Sequence, residues 1–341
     1  MTHRNATSPA SATAALAASP GERPLDRLRR HASWHLLAPV CVFAAMLLAV
    51  SILNPSYLGP FGISIVTATA APILLVALGQ AMILNIGSID LTNAAIGLLS
   101  SILIALTLSS LGVGSLLLVL FLVTVIGAVN GAVVAYAQVP SFALTLGTLG
   151  ILQTAVLVIS GANTIYVDEN RELVTFFYEV QWLNVPLTFW LGVGVALFYW
   201  LLLRLTRVGQ NMTAIGKNEI GAILSAVPNR RVKILAFAIS GFTGGLAGIA
   251  ILAQAGSASA SGLGSALLLP GIAAALVGGT SISGGQTNPI NVVFGALTVA
   301  FVPVAIQALR FSAEAQSLVY GIFIIVVVAL TTARERGLII R

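Results

Sequence analysis

The sequence predicts an all-α polytopic membrane protein of about ten transmembrane helices with a short additional helix between two of them. Composition carries the first part: of 341 residues, 58% are hydrophobic and only 8% charged, with a mean hydropathy of +1.02, whereas a soluble domain carries about a quarter charged residues. Apolar runs long enough to span a bilayer recur along the chain and supply the count. The third observation is the placement of charge. The net charge is +6 and the pI near 10.0, but the bases sit in short segments beside apolar runs, the positive-inside pattern of a membrane protein rather than a nucleic-acid surface.

The chain opens on a tail. Residues 1–35 begin with a stretch rich in Ala, Ser, Thr and Pro, without apolar period, and end on Arg23, Arg27, Arg29 and Arg30; such a segment is expected to be disordered and basic. Leu36 to Leu53 exceeds a signal-peptide core and lacks a convincing small-residue cleavage site, so it is read as a retained first span with its amino terminus inside. His31 and His35 lie one helical turn apart beside Trp34, without a third ligand, and read as an interfacial segment. Further runs follow at Gly62 to Leu84, Ala94 to Leu111, Val113 to Ala137 and Ser141 to Ser160. Gly161 to Pro186 carries Asp168, Glu169, Glu172 and Glu179 against Arg171 alone, with Tyr178 and Trp182 as interface anchors, which suits the outer face. Leu187 to Leu205 returns the chain inside.

A polar island then occupies 206–234. Arg204 at its edge, Arg207, Lys217, Arg230, Arg231 and Lys233 face a single acid, Glu219. Ile220, Ile223, Leu224 and Val227 keep the spacing of one helical face. Asn218 is placed to cap this helix, Glu219 suits its first turn and Pro228 stops it. The expected object is a rod of roughly 15 Å, from about ten residues at 1.5 Å each. It either seats its apolar face in a groove of a partner and transmits force, or rests on lipid headgroups. Beyond it, runs at Leu235 to Ala253, Leu267 to Gly279, Pro289 to Leu309 and Leu318 to Thr332 complete a transmembrane region over 36–333, and 334–341 is a basic inner tail. Leu267 to Gly279 is short for a straight span and is expected to be tilted or broken.

Small residues mark helix contacts. Ser240, Gly244 and Gly248, then Gly241 and Gly245, then Gly271, Ala275 and Gly279 recur every fourth residue, a spacing that lets helices approach closely in lipid. Polar groups within or beside spans are the candidates for a solute path: Gln80, Asn85, Asp90, Asn130, Thr145, Thr148, Gln153, Ser281, Ser283, Asn288 and Asn291, together with Thr280, Gln286 and Thr287. Nearly all are neutral, which suits a hydroxylated solute better than ion-coupled transport. Asp90, in SIDLTN, reads as an N-cap near the membrane edge.

Motifs for covalent chemistry are absent. Gly209 to Lys217, GQNMTAIGK, has two residues too many between its glycines for a phosphate loop, and Asn218 stands where Ser or Thr is needed. Every His precedes residue 36 and Cys41 is the sole cysteine, which excludes the usual Ser-His hydrolase, His-ligated metalloprotease and disulfide framework.

The segments GQAMILNIGSIDLT (Gly79 to Thr92), GAVNGAVVAYAQVPSFALTLGTLGI (Gly127 to Ile151), AIGKNEIGAILSAVPNRRVKILAFAISG (Ala214 to Gly241) and LVGGTSISGG (Leu276 to Gly285) together resemble the permease subunits of the ribose, xylose and galactose branch of ATP-binding-cassette importers. The resemblance runs from about Gly79 to Leu330. It implies a multi-pass protein of the bacterial cytoplasmic membrane with both termini inside. It implies a dimer with a second copy or homologue, two cytoplasmic ATPase subunits that use ATP and magnesium, and an extracytoplasmic binding protein delivering a sugar. No cofactor is expected on this chain itself. The coupling element implied is Gly216, Lys217, Asn218, Glu219, Ile220, Ala222, Ile223, Leu224 and Val227. Ser88 and Thr92, Gln286 to Asn288, and Val227 with Pro228 depart from the commonest residues of that branch. A permease for branched-chain amino acids or nucleosides, and an ion-coupled carrier without an ATPase, are the alternatives.

Overall fold

The computed structural model describes residues 34–53, 55–260 and 266–308, with 312, 317–322 and 325. The expected disordered tail, more than half of the last run at 318–332 and the basic end fall outside the described residues. The first helix, α1 (Trp34–Leu53), is followed by one turn of 3₁₀ helix at Pro55–Leu58. Four long helices come next: α2 (Pro60–Asn85), α3 (Asn93–Leu111), α4 (Val113–Ala137) and α5 (Ser141–Ser160). The acidic segment contains the strand β1 (Ile165–Tyr166), the short helix α6 (Glu172–Glu179) and a small antiparallel hairpin of β2 (Gln181–Trp182) with β3 (Val185–Pro186). After α7 (Leu187–Leu205) come two short helices, α8 (Arg207–Lys217) and α9 (Glu219–Leu224), then the longest helix, α10 (Asn229–Ala255). The strand β4 (Ser257–Ala258), the ten-residue α11 (Leu268–Val277) and α12 (Pro289–Ala308) complete the described elements.

Among the described residues seven helices are both long and apolar enough to cross a membrane, α2 to α5, α7, α10 and α12 up to Ile306. The chain is thus an all-α polytopic membrane protein, but the expected count of about ten spans is not supported. α1, described through its side chains only over Leu37–Ile52, and α11 fall short of that length. α11 is short because two glycines, Gly278 and Gly279, follow it and the second adopts φ +84°, which ends a helix readily. At about 15 Å it covers half of a hydrocarbon core of roughly 30 Å.

α2 and α10 form the centre. Nearly every side chain of α2 from Val66 onward is buried, and α10 packs on α2, α3 and α4. Close approach explains the second set of contacts. A Cβ at Gly244 would lie 2.7 Å from the backbone oxygen of Asn93 on α3, and one at Gly241 would lie 2.5 Å from that of Val123 on α4. The four-residue small rows therefore do what their spacing predicts, two adjacent faces of α10 receiving two helices. At the acidic end, β1 pairs antiparallel with β4, Ile165 opposite Ala258, so the segments leaving α5 and α10 are tied together there.

The island folds differently from the expected single rod. Its first half is a helix of its own, α8, capped by Thr206, whose Oγ1 accepts the Gly209 N–H at 3.1 Å. Asn218 then ends α8 and caps α9, its Oδ1 accepting the Gly221 N–H at 2.9 Å. α9 closes after Leu224, about 9 Å from its start, because Ser225 leaves the helix and Ala226 takes a left-handed φ of +60°. Pro228 does not stop this helix; it stands at the N-cap position of α10, where its fixed φ and missing N–H do no harm. The long span accordingly begins at Asn229, six residues before the expected start, and takes Arg230, Arg231 and Lys233 into its first turns.

Candidate functional site

Two features meet at the island end of the bundle: an exposed helix face and a buried polar node behind it. On α9, Ile220 is 73% exposed, Leu224 83% and Ile223 51%, whereas Ala222 is 5% exposed and faces the protein. The apolar face read from the spacing is thus turned outward over its first turn and a half, while Val227 packs partly against the core. Ala222 belongs to the opposite, inner side. A bare apolar surface of this kind calls for a covering partner or a lipid interface.

Glu219 fastens that helix to the bundle. Its Oε1 accepts from Asn229 Nδ2 and from Lys233 Nζ, both at 2.7 Å, so the first turn of α9 is bolted to the first turns of α10. Partial burial works to raise the Glu219 carboxyl, but the bonds from Lys233 and Asn229 outweigh it and hold the group below its ordinary range. The clamp borders a polar cavity of about 480 Å³ whose far walls are Gly87 to Ile89 and the α4–α5 turn.

The buried node lies behind this, around the linker between α2 and α3. Asp90 is fully buried; its Oδ1 accepts from the Thr92 N–H at 2.8 Å and from Thr92 Oγ1 at 2.5 Å, and its Oδ2 from Ser240 Oγ at 2.7 Å. Asn93 Nδ2 donates to the Ser240 backbone oxygen and, at 2.8 Å, to its Oγ. Asn130 donates to Thr92 Oγ1 at 3.3 Å, and Thr148 Oγ1 to Asn130 Oδ1 at 3.1 Å. Gln80 donates to the Asp90 backbone oxygen. One connected network therefore joins α2, α3, α4, α5 and α10. Burial pushes the Asp90 carboxyl above its usual range, against the opposing pull of the Thr92 and Ser240 donors.

This corrects the reading of Asp90 as the N-cap of α3. The residue at the N-cap position of α3 is Thr92, and Asp90 reaches it from two residues upstream, inside the bundle. The physical reason is that three hydroxyl and amide donors are gathered where a buried carboxylate needs them. Ser240, whose spacing marks it as a packing residue, is also a donor to the only acid of this node.

A third contact brings the loop between α11 and α12 to the same end. The Gly285 N–H donates to the Asn85 backbone oxygen at 2.9 Å, and Asn85 Nδ2 donates to Thr213 Oγ1 of α8 at 3.3 Å. A Cβ at Gly216 would collide with the Asn85 backbone oxygen and press on the Gly285 nitrogen. Three backbones thus touch where α8 ends, immediately before α9.

The residues expected along a solute path divide by this geometry. Gln80, Asn85, Asp90, Asn130, Thr145 and Asn291 are buried. Thr145 donates to the backbone oxygen of Ser141 at 2.9 Å within its own helix. Ser281, Ser283 and Asn288 lie on the loop before α12, where Ser281 Oγ accepts the Ser283 N–H and Asn288 Oδ1 the Ile290 N–H, each at 3.2 Å. Gln153 is exposed on α5, apart from the rest. Sequence reasoning missed Thr92, Asn93, Thr213, Asn229 and Lys233 as partners. Only Lys233 carried a usable signal, as a base on the same island as the lone acid.

The family model described as branched-chain amino acid transport system / permease component matches residues 62–328. The ribose import permease protein of Bacillus subtilis is 31% identical over 297 residues, covering 86% of this chain and 92% of that protein. The D-allose transport system permease protein of Escherichia coli is 30% identical over 303 residues, with 87% and 91% covered. The autoinducer 2 import system permease protein of Salmonella paratyphi A is 28% identical over 306 residues, with 88% and 91% covered.

Proposed function

This chain belongs to the family described as branched-chain amino acid transport system / permease component, and on that premise we propose that it is the membrane permease subunit of an ATP-binding-cassette importer that carries a sugar. Support for a sugar comes from the relatives matched over most of both chains, which are named for the import of ribose and the transport of D-allose. The neutral polar residues beside the spans agree, since a hydroxylated solute exchanges water for neutral donors and acceptors at little cost. A branched-chain amino acid, the solute in the family description, would need compensation for an ammonium and a carboxylate.

The observation that carries the mechanism is the exposed apolar face of α9 held by the Glu219 clamp. An ATPase subunit of the partner pair receives Ile220, Ile223 and Leu224 in a groove; closure of the ATPase dimer on ATP displaces α9, and Glu219 passes the displacement through Asn229 and Lys233 to α10. Ser240 on α10 conveys it to Asp90 and so to α2, α3 and α4. ATP and magnesium act on the partner, and this chain contributes shape and linkage. The buried residues Gln80, Asn85, Asp90, Asn130 and Thr145 hold the frame, because a group that meets solute must be reachable. Gln153, Ser283 and the half-exposed Thr148 and Asn288 are proposed to meet it.

The testing experiment is purification of the tagged permease with its bound ATPase, reconstitution in proteoliposomes, and an uptake panel of pentoses, hexoses and branched-chain amino acids with the cognate binding protein. ATP-dependent uptake of a monosaccharide supports the reading. Uptake driven by an ion gradient without an ATPase overturns it.

A further inference from the structure

A second surface of the bundle has no part in that mechanism. Between α4, α7 and α10 runs an open apolar groove of about 540 Å³, whose floor and walls include Thr124, Leu191, Gly194, Phe198, Leu235 and Phe242. All three helices are candidate spans, so in a bilayer the groove faces acyl chains. Along α10 it extends from Leu235 to Phe242, about 10 Å at 1.5 Å per residue, which fits within one leaflet of a core roughly 30 Å thick.

Its island end is basic. Arg231 is exposed and precedes Leu235 by one helical turn on the same face of α10. Arg230 lies over the ring of Tyr136 on α4, 5.1 Å from the centroid, which places its guanidinium at the α4–α10 seam below the groove. On α7, Arg204 lies over Trp200 at 4.9 Å. Glu219 pairs with Lys233, and among the described residues none of these three arginines takes part in an ion pair. Apolar groove and unpaired guanidinium groups at one end match the two parts of an anionic phospholipid, acyl chain and phosphate.

We propose that the α4–α7–α10 groove is a binding site for one acyl chain of an anionic phospholipid whose phosphate is held by Arg230 and Arg231. The proposal rests on the membrane placement of these helices and is independent of the transported solute. Gly194 offers a clean probe, because a Cβ built there meets nothing within 4 Å; a leucine side chain at that position enters the groove without touching the helix core.

The test is native mass spectrometry of the detergent-purified chain titrated with phosphatidylglycerol and, separately, with phosphatidylcholine of the same acyl composition. Phosphatidylglycerol is expected to stay bound preferentially, with affinity falling roughly thirtyfold in the Arg230→Ala/Arg231→Ala variant, at about a factor of five for each arginine. Gly194→Leu is expected to weaken both lipids while leaving the elution profile and thermal midpoint of the purified chain intact. Equal retention of the two lipids, or retention indifferent to Gly194→Leu, overturns the proposal. So does a change of oligomeric state in Gly194→Leu with lipid binding unaltered, which would put a second copy in the groove. If the arginine variant fails to purify, Arg231→Gln alone gives the same comparison.

Discussion

Glu219 and Asp90 show how differently a carboxylate behaves at two depths of one molecule. Glu219 is near the surface, paired with Lys233 and Asn229, and its folded-state carboxyl is held below the ordinary range. The clamp is therefore complete at pH above the usual carboxylate value and is lost as pH falls through the depressed value of the folded state. Being half solvated, it stabilises by no more than about 1 kcal/mol. Its loss should appear in coupling before it appears in stability. Glu219→Gln is expected to lower sugar-stimulated ATPase activity severalfold at neutral pH with little change in thermal midpoint, and the difference from the parent should vanish on acidification. A difference that persists unchanged at low pH would separate Glu219 from coupling. Asp90 has the opposite balance. Removing it leaves the buried hydroxyls of Thr92 and Ser240 without their acceptor, at about 1 to 3 kcal/mol each. Asp90→Ala should thus depress the thermal midpoint in detergent by many degrees, and a neutral outcome would show that the node is dispensable.

At the scale of elements, α9 is the shortest of the α-helices α1 to α12 and the one whose surface invites a partner. Leu224→Asp and Ile220→Asp place a charge on its exposed face without entering the core, so the permease is expected to purify normally while losing its ATPase subunit and more than about nine-tenths of uptake, since a charge buried at an apolar contact costs several kcal/mol. Retained ATPase binding in both variants would refute the docking role of this face. The glycines provide a paired test of the three-backbone junction behind it. Gly216→Ala forces a methyl group into the Asn85 backbone and should abolish accumulation of folded protein, whereas Gly147→Ala on α5, where a Cβ meets nothing within 4 Å, should be silent for folding; expression and monodispersity in detergent decide.

The legibility of these elements in the sequence follows local punctuation. α4, α5 and α7 begin and end at the residues expected from the apolar runs, because Gly112, the Gln138 to Pro140 turn, Gly161, Pro186 and Thr206 mark their limits. α8 went unread although Val208, Met212 and Ile215 have helical spacing, because its polar residues outweigh them and the segment reads as a loop. The end of α9 has no sequence marker, since Ala226 adopts a left-handed turn that alanine does not advertise. Asp90 as an N-cap was nearly right in sequence, two residues from Thr92, yet its burial depends on Ser240, 150 residues away, and no local pattern specifies such a partner.

For the whole molecule the basic island and the acidic segment lie at opposite ends of the helices that separate them, which makes orientation testable. In a Cys41→Ala background, Ser225→Cys on the island and Asn163→Cys on the acidic segment are both exposed positions. The positive-inside rule predicts that Ser225→Cys reacts with a membrane-impermeant maleimide only in inverted vesicles and Asn163→Cys only in intact cells. Labelling of both from one side would contradict the fold as a set of membrane crossings.

α10 is the element that reaches from one of these ends to the other. It receives Glu219 at its first turns and continues directly into β4, which is paired to β1 in the acidic segment. Its 27 residues measure about 40 Å, more than the hydrocarbon thickness. It therefore has the proportions of a lever with its fulcrum among the glycines packed on α3 and α4. A tilt of about 5° over that length moves one tip by roughly 3.5 Å relative to the other. A push delivered at α9 on one side of the membrane would thus arrive on the other as a displacement of the strand pair, before any solute has moved between them.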